Sequence, residues 1–350
     1  MKVAFDISST ESNHQFRGIG FYTERLHKNL EKINQKDSEF TLIPFSTKLP
    51  KADIYHFPAF SPFFFSFPLP LVTKSILTIH DLIPIEHPAH FPAGIRGNIK
   101  WQTQRLFLPF AKHIITDSNT SKSSIVKHTG VKKERISIIY LAADETFKPI
   151  KDGSELKKIK DKYELPEKFV LYVGDMNWNK NVLLLAQTCI DQDLPLVIVG
   201  KQAVANDIEV MHPWNIELVK FQMLAKEYPH LIKCLGFVKT NDLALLYNTA
   251  TVLVHPALAE GFGLPVLEAM QSGCPVIVSN CSSLPEIVSD AGLTFSPKSK
   301  TELGKIMQKV WRDNILLKRL SEKGIKQAAK FSWEQVAWET ISIYKKTYEN

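Results

Sequence analysis

Two carboxylates, Glu260 and Glu268, bracket Gly261, Phe262, Gly263 and Leu264 in the stretch His255–Asp290. Carboxylates in such a setting can accept hydrogen bonds from sugar or ribose hydroxyls. Amides of a glycine loop and the positive end of a helix favour a phosphate or another anion. Other groups stand where apolar runs end. His80-Asp81 closes the run Ser75–Ile79, and Lys180 lies in the string Gly174-Asp-Met-Asn177-Trp-Asn-Lys180-Asn181. Gly18 and Gly20 sit in the expected loop after Lys2–Ile7, where glycine permits close backbone approach. A residue at the carboxyl end of a parallel strand faces the ligand crevice of an open α/β sheet. Each feature also has a plainer reading: an exposed glutamate, a helix-start glutamate, a satisfied histidine, a flexible loop.

Positioning these groups requires a particular alternation. A buried strand over Thr251–Val254 leads into the glycine loop, and Pro265 follows where a first helical turn tolerates its missing N–H. Glu268 is expected in that first turn. The helix stops at Gly273, and Pro275–Ser279 forms the next strand. Strand, glycine loop, helix and strand make half of a nucleotide-binding unit. Strands are also predicted at Val170–Val173, Leu196–Val199, Ile232–Leu235 and Ala291–Phe295. The first half carries them at Phe40–Phe45, Ile54–Phe57, Ile114–Thr116 and Ile136–Tyr140, with a helix over Phe21–Ile33.

The string Glu260-Gly-Phe-Gly-Leu-Pro-Val-Leu-Glu268, with Gly273-Cys-Pro-Val and Leu284-Pro285-Glu286, resembles the E-x7-E signature of family 4 retaining glycosyltransferases. The resemblance runs over roughly residues 2 to 345. It implies an α/β fold of the GT-B type, two Rossmann-like domains facing a central crevice. The expected domains are 1–150 on the acceptor side, a linker over 151–168, and 169–330 for the nucleotide-sugar. A terminal helix over 331–350 crosses back to the first domain, with Ser332 as its cap. In that family Glu268 would accept from ribose hydroxyls and Glu260 from the transferred sugar. His80 would hydrogen-bond that sugar from the first domain, and the Gly18–Gly20 loop would approach its phosphates or the acceptor. Lys180 and the amides from Gly261 to Leu264 would stabilise charge on the departing diphosphate. The string Gly236-Phe237-Val238 would meet the base, and Asn177 would join the nucleotide-sugar site.

One position departs from the pattern. Many members carry arginine directly after the glycine where this chain has Asp175, although a subgroup is similar in its Gly-Asp-x-Asn-Trp-Asn-Lys-Asn string. Arg17 and Lys201 are the substitute cations to weigh. The segments RGIGFYTERL and IHDLIP resemble bacterial polysaccharide mannosyltransferases. The implied reaction moves a hexose, mannose favoured, from a GDP- or UDP-sugar to a glycan or lipid-linked acceptor in cell-surface polysaccharide synthesis. Alternatives are an epimerase-like enzyme of the same fold and a catalytically silent sugar-binding protein. An NAD oxidoreductase fits poorly, since neither glycine loop spells G-x-G-x-x-G with an acidic residue about 20 positions on.

At 350 residues the chain can bury two cores, and its 44% hydrophobic and 23% charged content is that of a globular protein. No apolar run is long enough to span a bilayer, and MKVAFDISST enters a strand pattern without a signal peptide's features. Cys189, Cys234, Cys274 and Cys281 lack metal-ligand spacing and read as reduced thiols in or near the core. No metal or other cofactor is expected; Asp191-Gln192-Asp193 falls at the amino end of a strand, away from the crevice. The expected placement is cytoplasmic, with a peripheral position at the inner face of the membrane left open. Of the net charge of +7, residues 1–150 carry +6, from 19 Lys and Arg against 13 Asp and Glu. That surplus leaves open contact with an anionic membrane through the N-terminal domain, and no nucleic-acid partner is expected. Phe57–Val72, with six phenylalanines and four prolines, is either a folded-back apolar loop or a segment for a lipid interface.

Overall fold

Short apolar runs buried along their whole length are the mark of strands covered on both faces, and such strands pair in parallel. The computed structural model describes residues 1–11, 18–35, 39–69, 74–210 and 212–349, and has this arrangement. The chain divides into two compact units, Met1–Ala142 with Phe331–Asn350, and Ala143–Lys330.

The first unit holds β1 (Lys2–Asp6), β2 (Thr41–Phe45), β3 (Ile54–Phe57), β4 (Ser75–Thr78), β5 (His113–Thr116) and β6 (Ile136–Ile138). They form one parallel sheet in the order β2-β1-β3-β4-β5-β6. Pro44 is tolerated because β2 is an edge strand. Phe57, Leu77, Ile79, Trp101 and Ile114 lie in its core. The helix Trp333–Glu349 belongs to this unit and starts where Ser332 Oγ accepts from Gln335 N at 3.1 Å. Its Tyr344 hydroxyl meets His56 Nδ1 at 2.7 Å.

The second unit holds β7 (Val170–Val173), β8 (Leu196–Val199), β9 (Ile232–Gly236), β10 (Val252–His255), β11 (Val276–Ser279) and β12 (Leu293–Phe295). All pair in parallel, in the order β12-β11-β10-β7-β8-β9. That is the doubly wound dinucleotide-type order, and it reverses between β7 and β10. Loops leaving neighbouring strands at a reversal part in opposite directions and open a crevice at the carboxyl ends. Residues 143–168 pack on this unit. Gln271 Nε2 donates to the carbonyls of Asp144 and Phe147 at 2.8 and 2.7 Å. The helix Gly153–Lys162 buries Ile159, and Lys162 and Tyr163 both bond Asp242.

Three expectations change. Gly18 and Gly20 are not in a loop; they form the first turn of the helix Gly18–Asn34, because packing of Tyr22, Leu26 and Leu30 outweighs the low helix propensity of glycine. Glu268 is not in a first turn. Its helix, Leu264–Gln271, begins at Gly263, which puts Glu268 a turn further in. The phenylalanine-rich segment divides: Phe57, Phe60 and Phe67 are buried, whereas Phe64 and Phe65 are exposed. Its end, 70–72, lies outside the described residues, as does Arg17.

Candidate functional site

Because β10 lies beside β7, two sequence-distant loops meet in the second unit. After β7 the chain turns through Gly174–Asn181, and after β10 through Pro256–Gly263. Asparagines stitch the two. Asn179 Nδ2 donates to Ala259 O at 3.0 Å, and its carbonyl accepts from Leu258 N at 2.7 Å. Asn181, in the left-handed region at φ 55°, donates through Nδ2 to Pro256 O and Pro297 O at 3.0 and 2.9 Å. Asparagine suits both demands, since it tolerates αL and its amide carries two donors. From the other side, Ser283 Oγ donates to the carbonyls of Glu260 and Phe262.

Across this stitched pair Lys180 Nζ donates to Glu260 Oε2 at 2.7 Å. His255, the last residue of β10 and fully enclosed, makes a second contact to the same oxygen, 2.7 Å from its Nε2. Burial alone would raise the Glu260 pKa; the Lys180 ammonium and the His255 bond outweigh it and hold the carboxylate well below its usual range. Both donors converge on Oε2. Oε1 has no protein donor among the described residues. Gly263, at φ 104°, ends the loop and starts the helix; a Cβ there would stand 2.8 Å from Leu284 Cδ2. Behind it, Tyr247 donates its hydroxyl to Glu268 Oε2 at 2.9 Å, which fixes that carboxylate on the helix.

The remaining expected groups of this unit are spread along the carboxyl edge of the sheet. Asn177 opens the Trp178–Lys180 turn, and its carbonyl accepts from Lys180 N at 2.8 Å. Gly261 and Phe262 are both enclosed. Leu264 begins the helix. Phe237 follows β9 with its ring exposed, while Val238 is buried. Asp175 is exposed, its carbonyl accepting from the Tyr172 hydroxyl at 2.6 Å. Lys201 lies in the turn after β8. Among the described residues no group of three or more His, Cys, Asp or Glu side chains is disposed to hold a metal ion. Asp191 pairs with Lys300 at 2.7 Å, ahead of β8.

In the first unit, β4 and β5 are parallel neighbours, so the residues just past their carboxyl ends meet. His80 Nδ1 and Asp117 Oδ2 are 2.5 Å apart, with Asp117 buried. Burial alone would lower the His80 pKa; the Asp117 carboxylate outweighs it and raises it, with Asp81 adding to the rise. Burial pushes Asp117 up as well, against the pull of His80. Tyr22, from the helix Gly18–Asn34, stands edge-on to the His80 ring at 4.7 Å between centroids. Thr78 links the Tyr22 hydroxyl to His56, and burial, with His80 nearby, pushes His56 down to about 3, so it is neutral.

Sequence reasoning missed His255 and Asp117. Each is a polar residue at or just past the carboxyl end of an apolar strand, the same signal that singled out His80. Which strands would be neighbours was the missing information.

Two parallel six-stranded sheets of these orders belong to the GT-B class of glycosyltransferase fold. Residues 155–327 match the family described as glycosyl transferases group 1, and residues 25–147 match Glycosyltransferase Family 4. The chain belongs to the family 4 glycosyltransferases. It is 31% identical over 303 residues to O-antigen chain mannosyltransferase B of Escherichia coli, covering 83% of this chain and 74% of the relative. It is 29% identical over 277 residues to the serotype-specific mannosyltransferase WbdA of Escherichia coli, covering 75% of this chain but 32% of that longer protein. Among solved structures, sucrose-phosphate synthase from Thermosynechococcus elongatus superposes with a TM-score of 0.77 at 18% identity, covering 100% of this chain and 99% of that one. Anabaena Alr3699/HepE in complex with UDP and glucose gives 0.72 at 16%, covering 99% and 100%.

Proposed function

We propose that this glycosyltransferase moves a hexose, mannose favoured, from a nucleoside diphosphate sugar to a glycan or lipid-linked acceptor with retention at the anomeric carbon. The observation that carries the reading is the Lys180–Glu260–His255 cluster beside the Gly261–Gly263 loop. A diphosphate at the loop amides would draw Lys180 towards it, and the cation would offset charge as the bond from C1 to the diphosphate oxygen breaks. Glu260 would accept from the hexose through Oε1 and Glu268 from the ribose. His80, with Nδ1 tied to Asp117, would orient the hexose. The acceptor oxygen would bond to C1 on the face the diphosphate leaves, and its proton would pass to the departing phosphate.

Leaving-group stabilisation of this kind needs no metal, so turnover should persist in a chelator. The mannosyltransferase names of the relatives support the hexose, and the UDP held by Alr3699/HepE supports a nucleotide donor. Nucleotide release over a panel of GDP- and UDP-sugars with a glycan acceptor tests it, beside thermal shifts with GDP and UDP alone. A nucleotide at 100 times its dissociation constant stabilises by about 2.7 kcal/mol. Release that needs no acceptor and yields a rearranged donor would favour an epimerase. Absence of release with every donor would overturn transfer.

A further inference from the structure

The helix Gly94–Phe107 and the turn after it carry two apolar faces. One is used: Gly97, Trp101, Gln104 and Leu108 are buried. On the opposite face Ile95 is 82% exposed, Ile99 61%, Leu106 71%, and Phe110, just beyond, 71%. At about 100° per residue, Ile95, Ile99 and Leu106 fall within about 40° of one another. The tip of the phenylalanine-rich loop joins them, with Phe64 66% and Phe65 57% exposed.

That tip is held in place. The enclosed Gln104 donates to Ser61 O and Pro62 O at 2.9 and 3.2 Å and accepts from Ser66 N at 3.2 Å. Gly97 lets Phe63 lie close against the helix. The exposed rings are therefore presented by a braced loop.

Cations line this face. Arg96 and Lys100 flank it on one side and Arg105 on the other, with Lys112 beyond Phe110. No acidic residue occurs from Gly94 to Lys112. Lys100 Nζ lies 5.2 Å from the Phe64 ring centroid. Past Phe110 a hollow is lined by Lys112, Arg135 and Lys346, with Glu134 also on its wall.

We infer that this face of the first unit docks on a lipid surface bearing anionic headgroups, with Phe64, Phe65, Ile95, Ile99 and Leu106 entering the interface and the flanking cations meeting the headgroups. An apolar stripe edged by cations fits the boundary between acyl chains and anionic headgroups. Lysine and arginine stems lie along apolar surface while their charges reach outward. A second copy fits poorly, because a two-fold contact would set Arg96, Lys100 and Arg105 against their own kind.

The inference stands apart from the donor chemistry, since vesicle binding is read without any sugar nucleotide. The test is flotation with vesicles of phosphatidylcholine alone and with about one third phosphatidylglycerol. The full chain should float with the anionic vesicles and be released by ~0.5 M salt. An Ile95→Gln/Ile99→Gln/Leu106→Gln variant and an Arg96→Gln/Lys100→Gln/Arg105→Gln variant should each lose about tenfold or more in binding. All six side chains lie outside the core, so unchanged thermal unfolding checks the fold. Phe64→Trp should add a blue-shifted emission over wild type on anionic vesicles. Failure to float with the anionic vesicles, or binding untouched by both triple variants, overturns the inference. So does a dimer of the wild type that the Ile95→Gln/Ile99→Gln/Leu106→Gln variant dissociates, which would mean that a second copy covers the face.

Discussion

At the residue scale the second unit's candidate site turns on one lysine, Lys180, held by Glu260. Lys180 neutralises Glu260 and shares it with His255. Lys180→Met should keep the fold, because His255 still satisfies the carboxylate, and should lower kcat by about a hundredfold or more in a nucleotide-release assay. His80 offers a pH signature. Its folded pKa is raised by Asp117, so the protonated form is favoured in the native state. That stabilisation is complete below the unfolded value of about 6.5 and is lost as pH rises through the folded value. Asp117→Asn should remove this alkaline decline, seen as a flatter Tm against pH than wild type. His56 is neutral across that range and adds no slope.

At the element scale the loops owe their shape to a few backbone positions. Gly263 occupies φ 104° with Leu284 against the space where a side chain would start. Gly263→Ala should cost about 1–3 kcal/mol in denaturant unfolding, from the left-handed strain and the contact together. The same change displaces the amides from Gly261 to Leu264, so nucleotide stabilisation should fall in thermal shift. Glycine spacing pointed to a true loop here, one that ends at Gly263. It pointed less well at Gly18 and Gly20, which are helical: the same low propensity that marks a loop is overridden where the next turns bury Tyr22, Leu26 and Leu30.

At the scale of the whole molecule the first unit is discontinuous in sequence. Its sheet is completed by a helix more than a hundred residues later, which buries Val336, Ala337, Ile341 and Tyr344 and gives His56 its second partner. A chain ending at Lys330 should keep the second unit folded and lose cooperative folding of the first. Limited proteolysis should then leave a protected fragment near residues 143–330. The contacts of Gln271 with Asp144 and Phe147, and of Asn248 with Ile150, set that fragment's start ahead of β7. Among the described residues no helix is long and apolar enough to cross a membrane.

By itself the sequence determined the strand and helix alternation, the E-x7-E loop and the family. Those follow from local periodicity, from the special conformations of glycine and proline, and from a motif contained in one continuous stretch. The helix over 94–107 shows a limit of that kind of information. Its pattern mixes two apolar faces, and only packing distinguishes the side taken by Trp101 and Leu108 from the side left to Ile95, Ile99 and Leu106. Tertiary structure alone decided which strands are neighbours. His80 found Asp117 because β4 lies beside β5, and Glu260 found Lys180 because β10 lies beside β7, 80 residues earlier in the chain. Strand order is set by how whole layers bury their apolar faces, and no local run of residues carries it.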